Sequence, residues 1–213
     1  MQHGLYVDYT SQRNINEVNY LLHNSDNFLA CGMDTKRLIK QHHPLSNVVT
    51  CGKPLQSIKR IKPKKVIAVI FDQNLFLDVN LEILEIVYSF AKANNYRVLP
   101  RLHPNNRPWR YREYFDNPLT IDCDLEGVQL AVGHTSTFLY ELMTLGIPIL
   151  RYNTNAPALN TNSNLEFSDV DSFSSSFESC NNIDIKNEGR KYFSHMGEES
   201  LGMYKEYFDK VSK

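Results

Sequence analysis

The stretch 130–152, LAVGHTSTFLYELMTLGIPILRY, limits the fold more than any other part of this chain. Ala131, Val132 and Gly133 form a short apolar run without alternation, the pattern of a strand buried on both faces of a parallel sheet. His134-Thr135-Ser136-Thr137 then places hydroxyls where a helix should open, and Phe138, Leu139, Leu142, Met143 and Leu145 continue at helical spacing. Gly146 stops that helix, and Pro148 precedes a second buried strand. A helix opening at the carboxyl end of a parallel strand turns unpaired N–H groups and a positive dipole end outward, which suits an anion. Thr135 and Ser136 are equally consistent with ordinary caps that bind nothing.

Alternation of strands and helices extends in both directions from this stretch. Upstream, the pattern predicts strands over 28–32 and 47–51 around a helix over 34–41 that turns Leu38 and Ile39 inward. Polar residues 8–20 read as a loop running into a short helix near 17–22. Gly52-Lys53-Pro54 closes this first βαβ unit, and the lysine-rich 56–65 reads as a solvated linker. A second unit opens with an apolar strand over 66–71. It continues with a helix over 80–94, whose inner face is Leu81, Leu84, Val87, Tyr88 and Ala91, and a strand over 96–102. A short strand over 119–122 precedes the central stretch; a loop over 153–168, a weak helix over 170–177 and amphipathic helices over 188–211, broken near Gly197, follow it. The fold class is therefore α/β, a Rossmann-like doubly wound parallel sheet.

Bulk properties narrow the function classes. At 213 residues the chain holds one ample core or one and a half small domains, and its net charge of −1 gives no global field for nucleic acid. No run approaches the roughly 18 apolar residues of a membrane span, and no signal-peptide pattern is present at Met1. Cys31, Cys51, Cys123 and Cys180 are widely spaced with no CxxC pairing, so they read as buried thiols of a cytoplasmic protein rather than metal ligands.

Three polar turns, at His3-Gly4, Arg101–Pro104 and His134–Thr137, fall at or near expected carboxyl ends of strands. In an open α/β sheet ligands bind outside those ends, so the three converge on one rim. Arg101 and His103 are donors able to hold a phosphate or carboxylate, or the pair simply caps a strand end. Arg101 and Arg151 are each open to two readings, a partner for a phosphate or a salt bridge at the rim. The basic aromatic loop 107–115, RPWRYREYF, sets Trp109, Tyr111 and Tyr114 among Arg107, Arg110 and Arg112. It could hold a base, a sugar, an anionic glycan or a membrane surface, or be an aromatic-anchored loop with solvated arginines.

His103-Pro104, followed by Gly133-His134-Thr135-Ser136-Thr137, Glu141 and Gly146-Ile147-Pro148, resembles the donor-nucleotide half of a GT-B glycosyltransferase. It is most similar to bacterial surface-polysaccharide enzymes, the CDP-glycerol glycerophosphotransferases and the bacterial sialyltransferases with their "HP" and Ser/Thr motifs. The resemblance covers about residues 64–155; in addition Gln2-His3-Gly4 and Cys51-Gly52-Lys53-Pro54 are similar to two turns of the glycerophosphotransferase group. It implies that His103 contacts the leaving phosphate and that Ser136 and Thr137, beside His134, Thr135 and Arg101, hold the donor phosphates. It further implies that Glu141 accepts from ribose hydroxyls, against the alternative of an exposed helix charge, and that His3 is general base for the acceptor. No metal or other cofactor is expected: the nucleotide-activated donor is a substrate, and the helix dipole with side chains would neutralise it.

The chain departs from that pattern in two ways. The carboxylate motif of the sialyltransferases is absent, Asp124-Leu125-Glu126-Gly127 imitating it only out of order, and Asp122-Cys123-Asp124 reads as a turn. The acceptor domain is reduced to a remnant, so the chain is a fragment, a shortened enzyme, or one whose cleft a partner completes. The expected division is 1–62 as acceptor-side remnant and linker, 63–155 as donor domain, and 156–213 as C-terminal helices packed back on the sheet. The expected reaction is transfer of a sugar or glycerophosphate to a glycan or lipid-linked acceptor of a cell-surface polysaccharide such as capsule. The expected location is the cytoplasm, with peripheral association at the inner membrane face. Alternatives are sialyl transfer from a CMP-activated donor, nucleotide-sugar epimerisation, and a non-catalytic nucleotide- or glycan-binding fragment.

Overall fold

A computed structural model describes residues 5–6, 25–54, 62–114, 125, 127–156 and 158–212. The first elements are β1 (Asn27–Ala30), α1 (Met33–His42) and β2 (Asn47–Thr50), followed by β3 (Val66–Ile70), α2 (Leu77–Asn94) and β4 (Arg97–Arg101). Then come β5 (Leu130–Gly133), α3 (Thr137–Thr144), β6 (Ile149–Tyr152), β7 (Glu166–Phe167), α4 (Val170–Ser179), α5 (Ile185–Arg190) and α6 (Gly197–Val211). The chain divides into two compact units, one of residues 1–57, 157–159 and 186–213, the other of 58–156 and 160–185. The expected strand at 119–122, the expected helix near 17–22 and His3-Gly4 lie outside the described residues.

In the first unit β1 and β2 pair in parallel, Asn27 opposite Asn47 through Ala30 opposite Thr50. Their side chains alternate between two small cores. Phe28, Ala30 and Val48 pack with Leu38 and Ile39 of α1, while Leu29 and Cys51 pack with Tyr204 of α6. Helix α6 is tied down by polar contacts as well: the Ser200 hydroxyl donates to the Cys51 carbonyl at 2.7 Å and the Tyr204 hydroxyl to the Gly52 carbonyl at 3.3 Å. Gly52 sits at φ +75°, and a Cβ there would stand 2.0 Å from the His195 carbonyl oxygen, so this turn has no room for a side chain. The C-terminal segment thus does not act as one packing element: 160–185 belongs with the larger sheet, 186–213 with the β1–α1–β2 unit.

The second unit is a five-stranded, all-parallel sheet in the order β4-β3-β5-β6-β7, an α/β, Rossmann-like arrangement flanked by helices. Every residue of β3 and β5 is buried, as their unbroken apolar runs require. Helix α2 buries Ile83, Leu84, Val87, Phe90 and Ala91, so its inner face is turned from the expected one and Leu81 and Tyr88 are only half-buried; α3 is buried over Leu139–Met143. Gly146, at φ +74°, ends α3 in a Schellman turn: its N–H reaches the Met143 carbonyl at 2.8 Å and the Ile147 N–H the Leu142 carbonyl at 3.1 Å. Strand β7 lies inside the segment expected to be loop; two residues are too short to carry periodicity, and they are strand by pairing with Arg151 and Tyr152 of β6, Phe167 also packing against Tyr152 and Phe173. The weakly patterned α4 is held by a capping box, Asp169 accepting from the Ser172 N–H at 2.8 Å while the Ser172 hydroxyl accepts from the Asp169 N–H at 3.0 Å. Among the described residues no helix is long and apolar enough to cross a membrane.

Candidate functional site

The strand order sets the place where a ligand would sit. From β3 the chain passes through α2 to β4 on one side, then returns to β5 on the other, so the sheet reverses its winding between β3 and β5. The crevice outside the carboxyl ends at such a reversal is the usual ligand position of an open α/β sheet. Ile70 is in register with both Arg101 and Gly133, which brings the residues after β3, β4 and β5 to one level. Those residues are Asp72, His103 and His134–Ser136.

Asp72 binds the two sides of the crevice together. It is buried, and its Oδ2 accepts the Thr135 N–H at 2.8 Å, across the β3–β5 boundary. Its backbone is clamped as well: its N–H donates to Asn80 Oδ1 at 3.0 Å, and its carbonyl accepts from Asn80 Nδ2 at 3.1 Å and Asn106 Nδ2 at 2.9 Å. Burial raises the Asp72 carboxyl above the usual carboxylate range, a shift that the Thr135 bonds and the nearby His103 oppose.

Asn106 extends this frame to the loop after β4. Its Oδ1 accepts the His103 N–H at 2.7 Å, fixing the loop's first residues. The His103 ring accepts the Asn105 N–H at Nδ1, 3.2 Å away. Because an accepting nitrogen carries no proton, neutral His103 is the Nε2–H tautomer, with its donor on the far side of a half-buried ring. Arg101, the last residue of β4, lays its guanidinium 3.7 Å from the centre of the Phe138 ring in the first turn of α3. Its charge therefore lies beside the helix start.

At that start Ser136 occupies the N-cap position but makes no side-chain capping bond, and Thr137 is the first helical residue. The Thr135 amide is already committed to Asp72. His134 is fully buried and does not reach the rim: its Nε2 pairs with Thr154 Oγ1 at 2.8 Å, and its ring packs edge-on against Phe76 at 5.3 Å. Its Nδ1 is 3.6 Å from Asp72 Oδ2, too long for a hydrogen bond, and has no hydrogen-bond partner among the described residues. Burial, with the Arg151 charge, pushes the imidazole down to about 4, so it is neutral near pH 7. Thr154 Oγ1 in turn accepts the Ala156 N–H at 3.1 Å.

Glu141 is buried in α3, which removes the exposed-charge reading. Arg151 forms a buried salt bridge: its Nη2 meets Glu166 Oε1 at 2.6 Å, its register partner across β6 and β7, while Nε and Nη1 are buried with no hydrogen-bond partner among the described residues. Of the sequence candidates, then, the structure gathers Arg101, His103, Thr135, Ser136 and Thr137 around the crevice and sets His134 and Glu141 in the interior; His3 lies outside the described residues. Asp72, Asn80, Asn106 and Thr154 escaped the sequence reading. A signal for Asp72 existed, a carboxylate placed directly after a doubly buried strand, but Asp-Gln-Asn reads as turn chemistry until the strand order is known. Among the described residues no group of three or more His, Cys, Asp or Glu side chains is placed to hold a metal ion. No family model and no curated protein sequence matches the chain.

Proposed function

We propose that the five-stranded unit binds the nucleotide and phosphates of an activated donor, in the manner of the donor half of a GT-B glycosyltransferase. Its reaction is transfer of a sugar or glycerophosphate to a cell-surface polysaccharide acceptor. The observation that carries this reading is the crevice between β3 and β5, where the loop with His103 and the start of α3 at Ser136 follow strand ends held in one register, around a turn fixed by Asp72. His103 Nε2–H donates to the phosphate that leaves; Ser136 and Thr137, with the helix start, hold the phosphates; Arg101 adds positive charge beside them. His134 and Glu141, being buried, shape the site rather than line its opening.

Thermal denaturation of the full chain with CMP, CDP and UDP tests the reading. A ligand at one hundred times its dissociation constant stabilises the folded state by about 2.7 kcal/mol, a rise of several degrees for a domain of this size. At least one of the three nucleotides is expected to give such a rise, and His103→Ala and Ser136→Ala are expected to abolish it while keeping the far-ultraviolet spectrum. No response to any of them overturns the reading. Binding without transfer to any glycan would favour the alternative, a nucleotide-binding module without catalysis.

A further inference from the structure

One residue decides the orientation of the segment that follows His103. Tyr111 is fully buried, its ring stacked on Phe71 at 4.7 Å and 18°, and its hydroxyl accepts from Asn80 Nδ2 at 3.1 Å. With Tyr111 pinned inward, the short 3-10 turn Pro108–Tyr114 turns its other described large side chains out: Trp109, Arg110 and Arg112 are exposed, as is Arg107 just before it. Trp109 is 56% exposed, and the Arg107 guanidinium lies 5.5 Å from its ring centre. On the adjoining turn Asn74–Phe76, Leu75 is 74% exposed. The two segments are joined, Asn74 Nδ2 donating to the Asn105 carbonyl and Asn106 Nδ2 to Asn74 Oδ1 at 3.3 Å.

Charge is concentrated here although the whole chain is nearly neutral. Residues 107–112 hold three arginines, Arg107, Arg110 and Arg112, and no acid; Glu113 follows in sequence, and Asp78 is exposed beyond Leu75. A scattered exposed apolar residue needs no explanation, but an exposed tryptophan among three arginines with an exposed leucine on the joined turn is a composition suited to the water–lipid boundary. There an indole sits at headgroup level, and each arginine near an anionic surface adds roughly fivefold in affinity. A polyanionic glycan or nucleic acid would use the arginines and the tryptophan face but not Leu75, whose exposed aliphatic side chain gains nothing on a hydrated polyanion.

We propose that this surface docks the protein on an anionic lipid bilayer, Trp109 and Leu75 entering the headgroup layer while Arg107, Arg110 and Arg112 contact lipid phosphates. The surface begins four residues after His103 and belongs to the same strand ends, so docking holds the crevice close to the bilayer. This inference stands on the patch alone and does not depend on the nucleotide reading.

Trp109 is the one tryptophan in the sequence, so its fluorescence reports on this surface without labelling. The full chain is mixed with phosphatidylcholine vesicles with and without phosphatidylglycerol, and emission and co-sedimentation are followed. Expected are sedimentation with the anionic vesicles only, a blue shift of Trp109 emission on binding, and weakening as salt is raised. The triple variant Arg107→Gln, Arg110→Gln, Arg112→Gln is expected to bind at least tenfold more weakly, and Leu75→Ser to bind more weakly with an unchanged far-ultraviolet spectrum. Equal binding to neutral vesicles, sedimentation without an emission shift, or binding to dextran sulfate with none to vesicles overturns the proposal.

Discussion

Asp72 and His134 are buried ionisable groups that face each other at 3.6 Å, and burial moves their proton affinities in opposite directions. His134 falls from 6.5 to about 4 on folding, so the stability it contributes is present above about pH 6.5 and is lost as pH drops toward 4. A shift of that size corresponds to roughly 3 kcal/mol. Asp72, raised by burial, works the other way: its contribution is complete below its ordinary 3.8 and is lost as pH rises through its folded value. Urea unfolding at pH 7 and pH 5 is therefore expected to show a loss of about 2 kcal/mol attributable to His134 in the parent chain, and a distinctly smaller loss in His134→Asn. An equal loss in both proteins would refute the assignment. Asp72→Ala, which leaves the Thr135 N–H without its acceptor, is expected to lower stability at pH 7 by about 1–3 kcal/mol, whereas Asp72→Asn, which keeps an acceptor oxygen, stays within about 1 kcal/mol of the parent.

At the scale of elements, the turn after β4 is anchored through Tyr111 and the ends of α2 and β3 through Asn80. The two halves of the Tyr111 anchor separate by substitution. Tyr111→Phe keeps the stack on Phe71 and removes only the hydroxyl facing Asn80, for a loss of about 1 kcal/mol. Tyr111→Ala removes a fully buried ring and is expected to cost about 3–5 kcal/mol in urea unfolding. Near-equal losses would show that the stack contributes nothing. Periodicity was enough to read β3, α2, β5, α3 and β6, because each buries a continuous apolar face that the chain must pattern. It did not reveal β7, where two residues pair only because β6 offers an open edge, nor the asparagine frame, since Asn80 and Asn106 look like solvated polar residues until Asp72 is placed between them.

For the molecule as a whole, the smaller unit is completed by residues far away in sequence. Helix α6 covers Leu29 and Cys51 and binds the carbonyls of Cys51 and Gly52. Truncation after Met196 removes that cover, and the buried Cys51 thiol should then react quickly with a maleimide, mapped by peptide mass spectrometry, while remaining inert in the full chain. Slow labelling in both would mean that the first unit keeps its core without α6.

The amino-acid sequence by itself determined that this is an α/β chain with doubly buried parallel strands, because burial on both faces must be written into consecutive apolar residues. It also marked His103 and the turn 134–137 as strand-end groups, because a strand followed by a helix leaves its polar residues at that end. Only the tertiary structure decided that the winding reverses between β3 and β5, that Asp72 spans the reversal to Thr135, and that His134 is fully buried while His103 is half-buried. Strand order and burial depth arise from contacts between residues tens of positions apart, and no local pattern along the chain encodes them.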